Sequence, residues 1–414
     1  MLKKNNYDVI IIGGGPAGST AGYLLSNFGY KVLIIDKAVF PRKKLCGGLI
    51  TKKTLKLNER IFNVTEYDLR EKGIINYISN GYELWNKSKL LVKGGDDIQL
   101  YFVTREKYDE LFLRKAEKAG VSIIEGDKVV KCDIDNNEII TSSGKKYTAR
   151  FIIGADGVNS IVRHSFPKKN FKLKKWRRNL VNAIEIFVDI KDLGPDSKLK
   201  NLDKPILYLS LVRYGYAWLF PGKDRIAVGI GGHYKKNKGS LLKTFNSFLS
   251  FHGIEYKGKI DAHSVPAGYY MTRPVYRNVI LTGDAGGYVD PLLGEGIFYA
   301  QRSAELASWA IHRNITEGRP LDKVYRKMLW KYFLPEFFNA KVTRSLAYYI
   351  SENLAHVPVK VVFGMMRGIL HDVLQGTRSN RGFFKRNIHE AVTLNKLSLF
   401  LTRPKKKILI INFF

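Results

Sequence analysis

Residues 7–36 read YDVIIIGGGPAGSTAGYLLSNFGYKVLIID, and this stretch decides the fold. Residues 7–12 are nearly all apolar, as a central parallel strand buried on both faces requires. The run stops at Gly13, Gly14 and Gly15. From 16 to 28 small and apolar residues recur at helical spacing, and Gly29 closes that helix. A second apolar run over 31–35 ends in Asp36. The predicted unit is a β-α-β of about thirty residues. Inside it, Gly13-Gly14-Gly15-Pro16-Ala17-Gly18 satisfies G-x-G-x-x-G. Gly13 permits the tight turn, Gly15 lets backbone approach a pyrophosphate, and Gly18, after the small Ala17, lets helix pack on strand. The pyrophosphate then sits at a helix N-terminus, where free N–H groups and the dipole favour negative charge. Asp36, at the end of the second strand, is placed to accept hydrogen bonds from a ribose diol. The loop alone does not separate FAD from NAD.

At 414 residues the chain suits two or three packed domains and is long enough to bury a large cofactor. No stretch approaches the ~18 to 20 uninterrupted apolar residues of a spanning helix. The start is short, basic and polar, and its first apolar run ends far sooner than a signal-peptide core of ~7 to 15 residues. A cytoplasmic protein is expected. Two cysteines, Cys46 and Cys132, are too few for a disulfide framework or for an iron–sulfur cluster with its usual four thiolates. The eight histidines show no close pairing, so no metal site is expected and redox chemistry must come from an organic cofactor. The net charge is +32, from 69 Lys and Arg against 37 Asp and Glu. These cations are spread along the chain without a nucleic-acid-binding module, so no nucleic acid is expected. An anionic membrane surface fits better, since cations near a leaflet contribute roughly 1 kcal/mol each. So does a phosphate-bearing substrate, and compositional drift toward Lys, Asn and Ile accounts for part of the excess.

Further along, apolar positions at 108, 111, 112 and 116 predict a helix before a strand over 121–124. Polar turns around Asn136 and Gly144 predict a hairpin, and 151–153 another strand. Residues 170–264 read as antiparallel strands, for example 206–212 and 226–230. A buried strand over 279–282 precedes glycines and a helix through 300–311, and 320–414 looks mainly helical and basic.

Two glycine-rich segments then separate the cofactors. GADGVNSIVR at 154–163 and LTGDAGG at 281–287 resemble recurring segments of the glutathione-reductase-type flavoproteins, in particular the p-hydroxybenzoate-hydroxylase-like branch. The resemblance implies FAD, with Asp156 in the first cofactor segment and Asp284 meeting the ribityl chain. It places Gly296 and Ile297, which open the following helix, with their N–H groups toward the isoalloxazine edge. Arg105 leads REKYDELF, similar to a family segment whose arginine contacts the flavin, and Val129 maps near adenine through backbone alone. PRKKLCGG at 41–48 also looks like the family. It implies Cys46 beside the ring, with a catalytic role as one option, and Gly47 and Gly48 allowing close backbone approach. Cys132, in an expected strand, reads as a small buried hydrophobe.

YAWLFP at 216–221, followed after seven residues by Gly229-Ile230-Gly231, resembles the signature of the geranylgeranyl reductase family, whose members saturate isoprenoid double bonds. The resemblance covers roughly residues 7–312. Tyr216, Trp218 and Phe220 alternate, so on a strand they share one face and form an aromatic wall. With Pro221, Gly229 and Gly231 they are the expected substrate-binding residues. An apolar, aromatic-lined cavity suits a long hydrocarbon.

The expected fold is α/β: a Rossmann-like FAD-binding domain over 1–60, 100–165 and 270–312, an inserted antiparallel-sheet substrate domain over 61–99 and 166–269, and a basic helical region over 313–414. The expected activity is FAD-dependent reduction of carbon–carbon double bonds in an isoprenoid diphosphate or isoprenoid lipid, with NAD(P)H or ferredoxin as electron donor. An FAD-dependent monooxygenase or halogenase is the rival, and Tyr216 at the first motif position weakens the halogenase. The last region carries 19 Lys and Arg against 6 Asp and Glu. A helical cap over the substrate cavity is the favoured reading of this region, and it is compatible with a peripheral contact of Lys405-Lys406-Lys407 and the apolar 408–414 with the inner face of the membrane.

Overall fold

The computed structural model describes residues 6–86, 88–95, 97–169, 171–237 and 241–353. In the first sheet, Asn6–Ile12 lies between Lys146–Gly154 and Val32–Ile35, parallel to both. Val279–Leu281 extends it beyond Lys146–Gly154, and Ser122–Ile124 beyond Val32–Ile35. Antiparallel Val275–Tyr276 finishes one edge, and the pair Val129–Asp133 and Glu138–Thr141 hangs from Lys146–Gly154. Strand alternation sends successive side chains to opposite faces. Val9, Ile11, Val32 and Ile34 accordingly enter the core shared with the helices Pro16–Asn27 and Ile297–Glu317, while Ile10, Ile12, Leu33 and Ile35 enter a second core. Burial on both faces is why these runs are continuously apolar. Register aligns Ile12 with Gly154 and Ile35, and Gly154 with Leu281. The C-terminal ends of four strands therefore open on one edge, where ligands of such sheets collect.

The second sheet has the order Asp261–Val265, Val181–Asp189, Arg225–His233, Tyr216–Phe220, Ile206–Leu209, Glu83–Asn86, Lys89–Lys93. One face is apolar: Ile184, Ile186, Ala217, Leu219, Val228 and Ile230 pack on Phe245, Phe248 and Leu249 of the helix Leu241–Phe251. The other carries Glu185, Tyr216, Trp218 and Phe220. The strand expected over 206–212 stops at Leu209, because Ser210 and Tyr214 take left-handed backbone, φ 64° and 53°.

A third sheet, Leu49–Ile50, Gln99–Val103 and Ile75–Asn80, packs on the helices Lys52–Phe62 and Arg105–Lys118. The stretch 61–99 is thus divided, with Ile75–Asn80 in this sheet and 83–93 in the second. Phe102 joins the two, its ring 5.5 Å from that of Phe220.

Beyond Ile297–Glu317 follow the helices Leu321–Tyr332 and Leu334–Asn353. The buried Tyr325 hydroxyl lies 3.1 Å from the Leu281 carbonyl and 3.2 Å from that of Ser303, which pins the first of these two helices to the sheet edge. The parallel sheet, the antiparallel sheet and the C-terminal helices make the α/β architecture expected from the sequence. Lys405-Lys406-Lys407 and 408–414 lie outside the described residues. Among the described residues no helix is long and apolar enough to cross a membrane.

Candidate active site at the sheet edge

At the first turn, Gly13 has φ 101°, and a Cβ there would run into the Ala155 carbonyl; one on Gly18 would overlap the Gly13 carbonyl. Both glycines are demanded by the protein's own packing. Gly15 is different: a Cβ there would meet a single neighbour, Arg42 Nη2 at 3.2 Å, so its outer side is an open cradle. Gly15 is also the N-cap of Pro16–Asn27, with no side-chain cap and no acidic residue in the first turn. The first N–H groups are left for an anion. Asp36 accepts from the Gly14 N–H at 2.6 Å and from the Ala38 N–H at 2.8 Å, bracing the turn with one lone pair of each oxygen. Val129 is buried in the same cluster as Ile35.

Asp156 accepts at Oδ2 from the Ile161 N–H, 2.7 Å, while its buried Oδ1 finds no hydrogen-bond partner among the described residues. Burial raises its carboxyl. Asp284 stands at the end of the neighbouring strand, its carboxyl raised by burial and drawn back by Lys44, Arg105 and Arg163. Arg163 stitches the two glycine segments together, donating to the Ala285 carbonyl at 3.0 Å and the Val158 carbonyl at 2.6 Å, with Trp176 stacked 3.7 Å away. Gly296 caps the helix Ile297–Glu317 without side-chain help. The cradle at Gly15, the bare helix starts and the unsatisfied oxygen of Asp156 fit FAD. Gly13, Gly15, Ala17, Gly18 and Asp36 would hold the ADP half, and Asp284, Gly296 and Ile297 the flavin half.

The loop 41–48 covers this edge. Arg105 donates to Asp109 through two N–H groups, 2.9 and 2.8 Å, and Arg42 adds a third bond at 3.0 Å. Burial alone would pull Arg105 down, but Asp109 and a hydrogen bond with Cys46 hold it above its ordinary value. Arg105, the arginine expected to face the flavin, is thus anchored through Nε and Nη2 on the buried Asp109 carboxylate. The glycines after Cys46 are also required by the protein's own packing. A Cβ on Gly47 would lie 2.5 Å from the Phe220 ring, and Gly48, at φ 74°, has its Cβ direction blocked by the Val103 carbonyl. Close approach of the protein's own chain already requires both. Cys132 is buried in its strand, and burial pushes its thiol up to about 12.

Tyr216, Trp218 and Phe220 form one row, with ring separations of 5.8 and 6.1 Å. Register sets Gly229 opposite Trp218 and Gly231 opposite Tyr216. A Cβ on Gly229 would enter the Trp218 indole, so the glycine is what lets that ring lie across its strand; at Gly231 the contact is an ordinary 3.5 Å. Buried Pro221 ends the row. The Tyr216 hydroxyl donates to the Leu293 carbonyl at 2.6 Å, while Phe220 touches Gly47. The wall thus spans from the loop before Ile297–Glu317 to the loop at Cys46.

Sequence reasoning missed Glu185, Lys44 and His263. Glu185 is 2% exposed and accepts from the Trp218 indole N–H at 2.9 Å. Burial pushes its carboxyl up to about 7 against the pull of Trp218 and Lys44. Lys44 Nζ lies 2.7 Å from His263 Nε2. Burial and Lys44 pull His263 down to about 4, so a neutral ring accepts from the lysine. The signal was faint: an acid in VNAIEIFVD, alternating with the apolar face, reads as solvent-facing until another element covers it. Among the described residues no group of three or more His, Cys, Asp and Glu side chains is arranged to hold a metal ion.

Residues 6–195 match the family model of the FAD binding domain. A digeranylgeranylglycerophospholipid reductase of Methanococcus vannielii is 28% identical over 76% of this chain and 78% of its own. A tryptophan 2-halogenase of Chondromyces crocatus is 24% identical over 90% of this chain and 75% of its own. Among solved structures, a geranylgeranyl bacteriochlorophyll reductase-like protein of Thermoplasma acidophilum superposes with a TM-score of 0.70 at 22% identity, covering 89% of this chain and 91% of that one. With the cradle and the two stitched glycine segments at one sheet edge, the chain is an FAD flavoprotein, and it is similar over most of its length to reductases of geranylgeranyl groups.

Proposed function

We propose that this flavin-dependent oxidoreductase reduces carbon–carbon double bonds of an isoprenoid chain, the geranylgeranyl group of a diphosphate or a membrane lipid. The observation that carries the reading is the aromatic row seated on a glycine strand, bounded by the loops at Leu293 and Cys46. Aromatic faces bind and align a polyene through dispersion and desolvation. FAD, bound and reduced by NAD(P)H or ferredoxin, supplies the hydride. The chain's part is to position the alkene, exclude water and present a proton. Cys46, next to the Gly47 that packs on Phe220, would lie beside the reacting carbons. Residues 1–60, 100–165 and 270–312 serve the cofactor, 61–99 and 166–269 the substrate. The surplus of cations suits a cytoplasmic protein in peripheral contact with anionic lipid.

The test is anaerobic: the holoprotein is reduced with dithionite and mixed with geranylgeranyl diphosphate or geranylgeranyl lipid. Reoxidation of the flavin with a mass gain of one H2 per bond supports the reading; a flavin that stays reduced beside unchanged lipid overturns it. The halogenase relative sustains monooxygenation or halogenation as a second reading. Substrate-dependent oxygen uptake giving a hydroxylated or halogenated product would decide for that class.

A further inference from the structure

Saturating an alkene needs a proton as well as a hydride, and a buried acid held protonated near neutral pH beside the aromatic row can supply it. We infer that Glu185 is this group: its Oε1 holds the proton that passes to the alkene carbon, while the Trp218 indole fixes the carboxyl by its other oxygen. The inference rests on the isoprenoid reading above.

Geometry carries it. Glu185 lies on Val181–Asp189, directly opposite Gly229 of the glycine strand, so its side chain rises on the face that bears Trp218. The indole N–H donates to Oε2 at 2.9 Å. The same Oε2 would lie 3.4 Å from a Cβ on Gly47, which places the carboxyl under the loop and beside Phe220. Oε1 is buried and finds no partner among the described residues. A carboxylate oxygen left bare in such a place is costly, and protonation removes most of that cost. The fixed oxygen and the bare one together set where the proton sits.

The charged and titratable neighbours come from every side. Lys44 and Cys46 face Glu185 from the covering loop and Arg225 from the glycine strand, and register sets Asp261 beside it on Asp261–Val265, with His263 two residues on. Asp261 is engaged by Lys43 at 2.9 Å, and neutral His263 by Lys44. Burial pulls Lys44 down and pushes Glu185 up to about 7, so the acid is partly protonated at neutral pH. In the step itself the alkene π pair takes the proton from Oε1, one C–H bond forms and the O–H bond breaks. The neighbouring carbon takes the hydride, with the reduced cofactor as the reductant. The carboxylate left behind is reprotonated from solvent.

The experiment compares wild-type and Glu185→Gln holoproteins, with Glu185→Asp as a variant that keeps the acid but withdraws it. Flavin content and dithionite reduction should be unchanged in all three, which establishes folding. The absorbance of the oxidised bound flavin should titrate near pH 7 in the wild type and lose that transition in Glu185→Gln. Reoxidation by geranylgeranyl lipid should fall by about 100-fold or more in Glu185→Gln, the range for a lost general acid, and by less in Glu185→Asp. If the wild type reduces the lipid and Glu185→Gln does so at the same rate, the inference is overturned and the isoprenoid reading stands. If the wild type reduces no geranylgeranyl lipid, the isoprenoid reading is overturned. The flavin titration then decides alone: a transition unchanged by Glu185→Gln overturns Glu185 as the proton holder, and one that disappears supports it.

Discussion

Replacing Arg163 by Met, an apolar side chain of similar length, tests whether the two glycine segments are held together by a charged bolt. Arg163 is fully buried and donates to Val158 on one segment and Ala285 on the other. Removing it leaves two buried carbonyls without a donor, at about 2 kcal/mol each. Its stacking on Trp176 at 3.7 Å is worth about 2 kcal/mol in a desolvated site. Against this, burial pulls the guanidinium from 12.5 to about 10, and at ~1.4 kcal/mol per unit Met relieves about 3 kcal/mol of charge burial. The net expectation is a loss of about 3 kcal/mol. Urea unfolding of the holoprotein at pH 7 measures it as a lower midpoint at constant slope. A cycle with Trp176→Leu isolates the stacking, which should appear as a coupling of about 2 kcal/mol. Arg163→Met within about 0.5 kcal/mol of wild type, or a coupling near zero, would refute the reasoning.

Gly229→Ala should bind FAD normally but turn substrate over at least about 10-fold more slowly, because the new methyl displaces the Trp218 indole and with it the bond to Glu185. Normal turnover with an unchanged tryptophan fluorescence spectrum would contradict the role given to this glycine. Stability should also report Glu185 directly. A carboxyl raised from 4.5 to about 7 favours the folded state fully below pH 4.5, and that advantage is lost as pH rises through 7. At ~1.4 kcal/mol per unit, apoprotein stability relative to Glu185→Gln should drop by about 3 kcal/mol between pH 4 and pH 8. A difference that does not change with pH would show that the carboxyl is not held in its raised state.

The legible part of the site is the part written in local backbone demands. Gly13 is forced by the positive φ of its own turn and Gly18 by the Gly13 carbonyl five residues back, and Tyr216, Trp218 and Phe220 share a face because any strand alternates. Arg105 illustrates what a motif leaves open. Its position in REKYDELF implied the flavin, yet Asp109, one helical turn on, takes two N–H groups of the same guanidinium. Gly47 and Gly48 are crowded by Phe220 and Val103, residues far along the chain.

By itself the sequence determined the β-α-β unit, the FAD-type segments and the aromatic row, since periodicity and glycine spacing act over a few residues. Only the tertiary structure decided that Glu185 is a buried acid. On its own strand it alternates with Ile184 and Ile186 like any solvent-facing residue. It becomes exceptional because the loop at Cys46 closes over it and the Trp218 indole reaches across from the second strand of the same sheet along. Desolvation is a property of what surrounds a side chain, and no local pattern encodes it.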